Sequence, residues 1–253
     1  MVRSPATRTG TLRLHSHWLF DEIQLRQMLI AGFPAGAFQT NCYVVAPAAG
    51  AECVIVDPGQ DAAAGVDELL REHRLKPVAV LLTHGHLDHV WSVAPVCGAR
   101  GIPAWIHPED RHLLSDPAKG WSDTSAEIFG GITLSEPDDV EELSDGAVLS
   151  LAGLELVVDH TPGHTRGSVS FRLPGDEIMF SGDLLFAGSI GRTDLPGGDY
   201  PTILRSLADK CLSLPDATVV LPGHGPKTTI GHERLANPYL RDIAPPAGPT
   251  RGI

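Results

Sequence analysis

Long apolar runs are absent from this sequence. None of its 253 residues belongs to a stretch of about 18 or more consecutive apolar side chains, the length that a membrane-spanning helix needs. The first 27 residues, which we expect to form an N-terminal extension, also lack the apolar core and the small-residue cleavage site of a secretory signal. We therefore expect a cytoplasmic protein with no membrane partner.

Cysteine and basic residues are scarce. The four cysteines contain no CxxC pair, so we expect a reducing compartment and no disulfide framework: they are Cys42, Cys53, Cys97 and Cys211. Lys and Arg total 19 against 31 Asp and Glu, which gives a formal net charge of −12. Because contact with a phosphate backbone needs clustered Lys and Arg, this balance argues against a nucleic-acid partner. It does not restrict small-molecule substrates.

Apolar runs of strand length alternate with turn residues and with helical patterns, which is typical of an α/β protein. Asp61 to Arg74 predicts an amphipathic helix that has Val66 and Leu69 on its apolar face and is ended by Pro77. Other patterns predict helices at 88–97 and 199–212, and strands after Met28 and at 42–45, 53–56, 78–82, 104–106, 148–151, 154–158, 169–171, 178–180 and 218–221.

Residues 115–147 differ from the rest of the chain in composition. They are rich in Gly, Pro, Ser and acidic residues, which predicts a long excursion over the surface. Long loops without secondary structure are uncommon unless they are functional. The segment is therefore a candidate lid over a site.

Metal-binding side chains follow several of the predicted strands. Seven of them lie in Gly- or Pro-containing segments just beyond strand ends: His84, His86, Asp88 and His89 in THGHLDH, His164 in TPGHT, Asp183 in SGD and His224 in PGHG. Loops beyond strand ends converge on one edge of the sheets in α/β proteins, where sites form. Five imidazoles and two carboxylates suit zinc, with iron or manganese as alternatives.

The size of this ligand set indicates two ions. Seven ligands exceed the need of one tetrahedral ion, whereas two ions that share a carboxylate each keep an open position. Two ions roughly 3.5–4 Å apart can hold a bridging hydroxide, a nucleophile already ionised at neutral pH. The other histidines lack such a context and are expected to be surface or structural residues: His15, His17, His73, His107, His112, His160 and His232.

These motifs, in this order, resemble the metal motifs of the metallo-β-lactamase superfamily, and the resemblance extends over about residues 28–240, before a Pro-rich tail at 241–253. It implies a four-layer αβ/βα sandwich with the site at one edge between two sheets. It also implies the distribution of ligands: His84, His86 and His164 on one ion, Asp88, His89 and His224 on the other, and Asp183 between them.

Within the superfamily, GDLLFAGSIGRTDLPGGD and PGHGPKTTIGHERLANPYL are most similar to short bacterial glyoxalase II proteins, the hydroxyacylglutathione hydrolases. The implied reaction is attack of the bridging hydroxide on a thioester such as S-D-lactoylglutathione, with Asp88 orienting the hydroxide. Arg192 lies where glyoxalase II carries a substrate-binding lysine, and a surface role is its alternative. Asp57, in VDPG, resembles a buried aspartate that supports the site from behind the ligands, and a loop cap is the alternative.

One departure leaves the thiol carrier open. Full-length glyoxalase II has a C-terminal helical domain that contacts glutathione, whereas only 29 residues follow His224 here, so another low-molecular-weight thiol is an alternative carrier. GRTD at 191–194 is also similar to persulfide dioxygenases, which use one iron on the equivalents of His84, His164 and Asp183. Hydrolysis of another ester or a lactone, and metal binding with little catalysis, are the remaining alternatives.

Overall fold

Two six-stranded β-sheets form the centre of the protein in this computed structural model, which describes residues 28–122, 131–241 and 243. The predicted extension at 1–27 lies outside the described residues. So do residues 123–130, inside the predicted excursion, and most of the predicted tail. The proposed domain limits therefore stay predictions.

The first sheet comes from the N-terminal half of the chain. Its strands lie in chain order: β1 Leu29–Ala35, β2 Thr40–Ala46, β3 Glu52–Val56, β4 Lys76–Leu81, β5 Ala104–Ile106 and β6 Val140–Glu142. The strands β1 to β3 pair antiparallel, and β3 to β6 pair in parallel. Because β3, β4 and β5 run in the same direction, their carboxyl ends all lie at one edge of the sheet.

The second sheet comes from the C-terminal half and has the order β14-β13-β10-β9-β8-β7. Its strands are β7 Val148–Leu151, β8 Leu154–His160, β9 Val169–Leu173, β10 Ile178–Gly182, β13 Val219–Pro222 and β14 Thr228–Thr229, and a separate hairpin pairs β11 Leu185–Phe186 with β12 Ser189–Ile190. The strands β8 and β10 both run antiparallel to β9, and β10 is parallel to β13. The carboxyl ends of β8, β10 and β13 therefore lie at the same edge.

Helices lie between the strands. They are Ala62–His73, Leu87–Val90, Val93–Gly98, Pro108–Arg111, Tyr200–Ser206 and Ile230–Ala236, with 3-10 turns at His112–Leu114, Pro117–Gly120 and Pro174–Asp176 and a π-helical turn at Leu207–Cys211. The first helix buries Val66 and Leu69 as predicted, but it ends through Arg74 in the left-handed conformation, and Pro77 lies inside β4. Among the described residues, no helix has the length and apolarity that a bilayer crossing requires.

Three clusters of buried side chains establish the order of the layers. Helices Ala62–His73 and Val93–Gly98 pack on the outer face of the first sheet. Side chains such as Leu81 and Phe171 fill the space between the two sheets, where each buried Leu or Phe stabilises the fold by about 1.5–3 kcal/mol. Ile203 and its neighbours cover the outer face of the second sheet. The predicted four-layer αβ/βα sandwich is confirmed.

The structure differs from the sequence prediction in several places, and two of them lie between residues 88 and 142. Val140–Glu142, inside the predicted excursion, pairs with β5 as an edge strand of the first sheet. This strand is only three residues long, so its pattern is too short to detect in the sequence. Its two acidic residues suit a sheet edge that must not pair with another chain. The helix predicted at 88–97 is two short helices that are separated at Trp91 and Ser92.

Candidate metal centre

Four strand ends deliver the predicted ligands. The structure brings all of them together at one edge of the sandwich: His84, His86, Asp88 and His89 after β4, His164 after β8, Asp183 after β10 and His224 after β13. The strand β4 is buried on both faces, with Val80 towards the helices and Leu81 towards the second sheet. The ligand loop therefore starts from a rigid base in the core.

His84, His86 and His164 form the first triad. One ring nitrogen from each lies within 4.8 Å of the others. The Nδ1 of His86 is 2.8 Å from the Nε2 of His164, and the rings of the three residues are nearly perpendicular to one another. All three side chains are buried. Their nitrogen lone pairs thus converge on one small volume.

Asp88, His89 and His224 form the second triad, whose ligand atoms also lie within 4.8 Å of one another. The Oδ2 of Asp88 is 3.0 Å from the Nε2 of His224 and 3.4 Å from the Nε2 of His89. Thr40 donates a hydrogen bond of 2.9 Å from its Oγ1 to the same carboxylate oxygen. Asp88 and His224 are partly exposed, so this triad faces the solvent side of the site.

Asp183 lies between the two triads. Its Oδ1 is 3.4 Å from the Nε2 of His89. Its Oδ2 is 3.5 Å from the Nε2 of His164 and 3.7 Å from the Nε2 of His224. The carboxylate therefore faces nitrogens of both triads, which is the arrangement that a bridging ligand requires.

The residues present fit divalent ions. Among the described residues, four buried polar atoms of this cluster have no hydrogen-bond partner: the Nε2 atoms of His84, His86 and His89, and the Oδ1 of Asp183. A buried polar atom without a partner is costly, and native proteins rarely keep several together. Nitrogen and oxygen donors of this kind are the ligands of zinc and of similar borderline ions. The cluster is therefore a candidate site for two such ions.

Burial and neighbouring charges divide the histidines into two groups. Burial, together with the other imidazoles, lowers the pKa of His84 well below its usual value and lowers the pKa of His86 to about 3. Burial also opposes the charged form of His89, but the carboxylates of Asp88 and Asp183 outweigh it and raise the pKa of His89. His84 and His86 are thus neutral and ready to bind an ion, because a metal needs the unprotonated imidazole.

The two carboxylates are ionised. Burial alone would raise the pKa of Asp88 and of Asp183, but the nearby imidazoles, above all His89, outweigh it and lower both pKa values. The site consequently presents two negative charges close to the neutral imidazoles of His84 and His86. This is the charge distribution that favours a cation between them.

Hydrogen bonds behind the ligands orient the rings. Asp57 accepts hydrogen bonds from the backbone N–H of Thr83 at 2.8 Å, from the Oγ1 of Thr83 at 2.6 Å and from the Nδ1 of His89 at 2.9 Å. The Nδ1 of His164 donates to the backbone carbonyl of Arg192 at 2.7 Å. In both histidines the Nε2 is left for a metal, the usual arrangement at metal sites. Asp57 thus lies behind His89, and its role in support of a metal site stays a prediction.

The sequence analysis did not detect two contributors. Asp110, in HPEDR, is buried and accepts hydrogen bonds from both loops that carry the first triad. Thr40 holds Asp88, as described above. Neither residue is in a motif. The partners of Asp110 lie 25 to 57 positions away in the sequence, and Asp88 lies 48 positions from Thr40. The only local signal for Asp110 is that an acidic residue follows a predicted strand.

An open cleft of about 450 Å³ lies over the cluster. Five of the candidate ligands and Arg192 line it. The rest of the lining is mainly apolar: Phe38, Leu87, Gly120, Trp121, Phe186, Ile190 and Leu195. The five ligands are His86, Asp88, His164, Asp183 and His224. The guanidinium of Arg192 is exposed and forms two hydrogen bonds of 2.7 Å with Asp194. A substrate contact by Arg192 stays a prediction.

Other histidines in the described residues lie apart from the cluster. The rings of His107 and His160 stack on each other with centroids 4.1 Å apart, and the Nε2 of His160 is 2.8 Å from the backbone oxygen of Arg166. His232 is largely exposed. None of the three contributes to either triad, in agreement with the sequence analysis.

Gly223 provides a first testable prediction. A Cβ at this position would overlap the Oδ1 of Asp183 and lie 2.7 Å from the Cε1 of His89. We expect Gly223→Ala to displace the bridging carboxylate and to lower turnover by on the order of 100-fold, because small misplacements of reacting groups cost that much. Turnover and bound metal would be measured together. Gly98→Ala is the matched control, since a Cβ there meets no atom within 4 Å. Wild-type rates in Gly223→Ala would contradict this account of the site.

Comparison with known sequences agrees with this geometry. The family described as the metallo-beta-lactamase superfamily matches residues 35–224. An uncharacterized protein of Mycobacterium tuberculosis is 50% identical over 223 residues, which cover 86% of this chain and 100% of that protein. The hydroxyacylglutathione hydrolase GloC of Haemophilus influenzae is 36% identical over 216 residues, which cover 84% of this chain and 98% of that protein.

Two solved structures are similar along almost their whole length. BLEG-1, a B3 metallo-beta-lactamase, is 42% identical with a TM-score of 0.76, and the match covers 84% of this chain and 99% of that chain. TTHA1623 in a di-iron-bound form is 40% identical with a TM-score of 0.69, and the match covers 82% of this chain and 98% of that chain. Fold, metal-type cluster and sequence agree: the chain belongs to the metallo-β-lactamase superfamily.

Proposed function

We propose that this protein is a metal-dependent hydrolase that cleaves thioesters with two divalent ions in its site. The observation that carries the proposal is the pair of adjoining triads with Asp183 between them on the floor of an open cleft. The first triad would hold one ion, the second triad the other, and Asp183 would bridge them. We propose zinc, with iron and manganese as alternatives that the same ligands accept.

The cleft favours an acyl-thiol substrate. Its walls carry apolar side chains such as Phe38, Phe186 and Ile190, which suit the aliphatic groups on either side of a thioester carbonyl. Arg192 at the cleft supplies a guanidinium that can receive a carboxylate of the thiol carrier. The Haemophilus influenzae relative is named a hydroxyacylglutathione hydrolase, and hydroxyacylglutathione is a thioester. These points support a glyoxalase II type of reaction.

The chain's own residues prepare the reaction. When bound, the two ions supply ionised water as the nucleophile and polarise the carbonyl. Asp88, whose Oδ2 is held by Thr40 and His224, would orient the attacking water through its carboxylate. The described lining of the cleft contains no Ser, Thr, Cys or Lys, and its carboxylates and imidazoles are the proposed metal ligands, so the proposed reaction has no acyl-enzyme. The carbon–sulfur bond would therefore break directly, with the carrier leaving as a thiolate.

Two rival activities would use the same ligands. BLEG-1 is a B3 metallo-beta-lactamase, so hydrolysis of a β-lactam is one rival. A persulfide dioxygenase would use one iron on His84, His164 and Asp183 together with O₂. The second triad favours the hydrolase over the dioxygenase, because a one-iron enzyme does not need it. Cleavage of another ester or a lactone would use the same nucleophile.

Metal analysis combined with a substrate panel tests the proposal. The purified chain would be analysed for bound metals and assayed with S-D-lactoylglutathione, acyl esters of other low-molecular-weight thiols, lactones, a β-lactam and glutathione persulfide. We expect close to two ions per chain, release of free thiol from a thioester and no uptake of O₂. One iron per chain with O₂ consumption would replace the hydrolase by the dioxygenase. Faster turnover of the β-lactam than of every thioester would also overturn the proposal.

A further inference from the structure

Asp110 lies outside every metal motif, yet it is buried between the two loops that carry the first triad. It belongs to the short helix Pro108–Arg111, which follows β5 of the first sheet. Its side chain is only 2% exposed. A carboxylate so buried needs partners, because an unsatisfied charge in the interior is strongly unfavourable.

Among the described residues, the hydrogen bonds to the carboxylate of Asp110 all come from the two ligand loops. Its Oδ2 accepts hydrogen bonds from the backbone N–H of Gly85 at 2.9 Å and from the Oγ1 of Thr165 at 2.6 Å. Its Oδ1 accepts one from the backbone N–H of Gly167 at 2.8 Å. Gly85 lies between His84 and His86, and Thr165 follows His164 directly. One carboxylate thus connects both segments of the first triad.

The neighbouring backbone is shaped to admit this carboxylate. A Cβ on Gly167 would lie 2.6 Å from the Cγ of Asp110, and a Cβ on Gly85 would lie 2.9 Å from its backbone oxygen. Only glycine allows such a close approach at both positions. Among the residues that the structure describes, no Lys or Arg forms an ion pair with Asp110, so its three neutral donors alone satisfy it.

We propose that Asp110 is a positioning residue that holds the first triad in its metal-binding geometry and leaves the second triad unaffected. His86 and His164 are 78 positions apart, and their nitrogens meet only if the two loops keep a fixed separation. The second triad does not depend on Asp110, because Asp57 and Thr40 hold His89 and Asp88. The inference rests on the proposed metal-dependent function.

The test is a metal titration of the apoprotein, with Co²⁺ followed by its absorption spectrum. His84→Ala and His224→Ala, which each remove a ligand from one triad, assign the two binding steps. We expect Asp110→Asn to weaken the first-triad step by about 10–100-fold, the usual cost of losing a residue that orients a metal ligand, and to leave the other step unchanged. Asn keeps the shape of Asp, but its NH₂ group replaces one acceptor oxygen and therefore faces a donor from one of the ligand loops.

Glu233 provides the matched control. It is fully buried and accepts hydrogen bonds from the N–H of Gly188, the Oγ1 of Thr228 and the Nδ2 of Asn237, at 2.6 to 2.9 Å, but it contacts no candidate ligand. We expect Glu233→Gln to lower thermal stability and to change neither binding step. If Asp110 had only a structural role, Asp110→Asn would likewise lower thermal stability and leave both binding steps unchanged. The Co²⁺ spectrum therefore separates a structural role from a positioning role.

The outcomes distinguish the inference from the proposed function. Equal weakening of both steps in Asp110→Asn, or of neither, would overturn the role of Asp110. If that variant does not fold, Thr165→Val decides, since it removes the hydroxyl that donates to Oδ2 and that also lies 2.7 Å from the Oγ of Ser168. This variant should selectively weaken the first-triad step. A wild-type chain that takes up no divalent ion would instead overturn the proposed function.

Discussion

Replacement of Asp183 by alanine is expected to lower thioester turnover by more than about 100-fold, the upper cost of losing residues that only support metal ligands. Asp183 is the side chain that faces nitrogens of both triads, at 3.4 Å from His89 and 3.5 Å from His164. Its loss would remove a ligand from both proposed metal sites at once, and no described side chain would then connect the two sites. The measurements are turnover and bound metal per chain.

The variant should remain folded, because alanine removes a buried charge and leaves the apolar core intact. Circular dichroism would check this point. Asp199→Asn is the control: this aspartate caps the helix Tyr200–Ser206 through the backbone N–H of Thr202 and is exposed, so its loss should leave turnover unchanged. Full activity in Asp183→Ala would remove the bridging role from the mechanism.

Removal of metal by a chelator is the second change with a large expected effect. We expect turnover to vanish and to return when zinc, iron or manganese is restored. The described lining of the cleft offers no nucleophilic Ser, Thr, Cys or Lys, so the proposed reaction depends on a water that the metal ions ionise. A chelator-treated sample that keeps full activity, with metal absent by elemental analysis, would contradict the proposal.

The same sample should also lose thermal stability. Ions that bind only the folded chain at about 1,000 times their dissociation constant stabilise it by about 4 kcal/mol. For a domain of this size that corresponds to a fall of about 10 °C in melting temperature on removal. The Nε2 atoms of His84 and His89 and the Oδ1 of Asp183 would then remain buried without partners. An unchanged melting temperature would indicate that these atoms have another partner.

Most of the sheet architecture could be predicted because its strands are continuous apolar runs. The strands Ala104–Ile106 and Val148–Leu151 were predicted with their observed limits, and the other predicted strands agree to within a few residues. The short strands β6, β11, β12 and β14 were not predicted, because two or three residues are too few to form a pattern. The predictions were poorer where a single backbone conformation decides the boundary. Pro77 was predicted to end the helix at 61–74, but a left-handed Arg74 ends it, although the predicted limits agree with Ala62–His73. The helix predicted at 199–212 changes to a π-helical turn at Leu207–Cys211.

The sequence alone determined the chemistry of the site, because metal ligands are recognisable by residue type and by spacing, and the motif THGHLDH contains four of them in seven residues. Only the tertiary structure could reveal which groups hold these ligands. Asp110 and Thr40 contact residues 25 to 57 positions away, and Arg192 supports His164 through its backbone oxygen. Such contacts leave no local pattern, since they depend on two sheets packing with their strand ends at one edge.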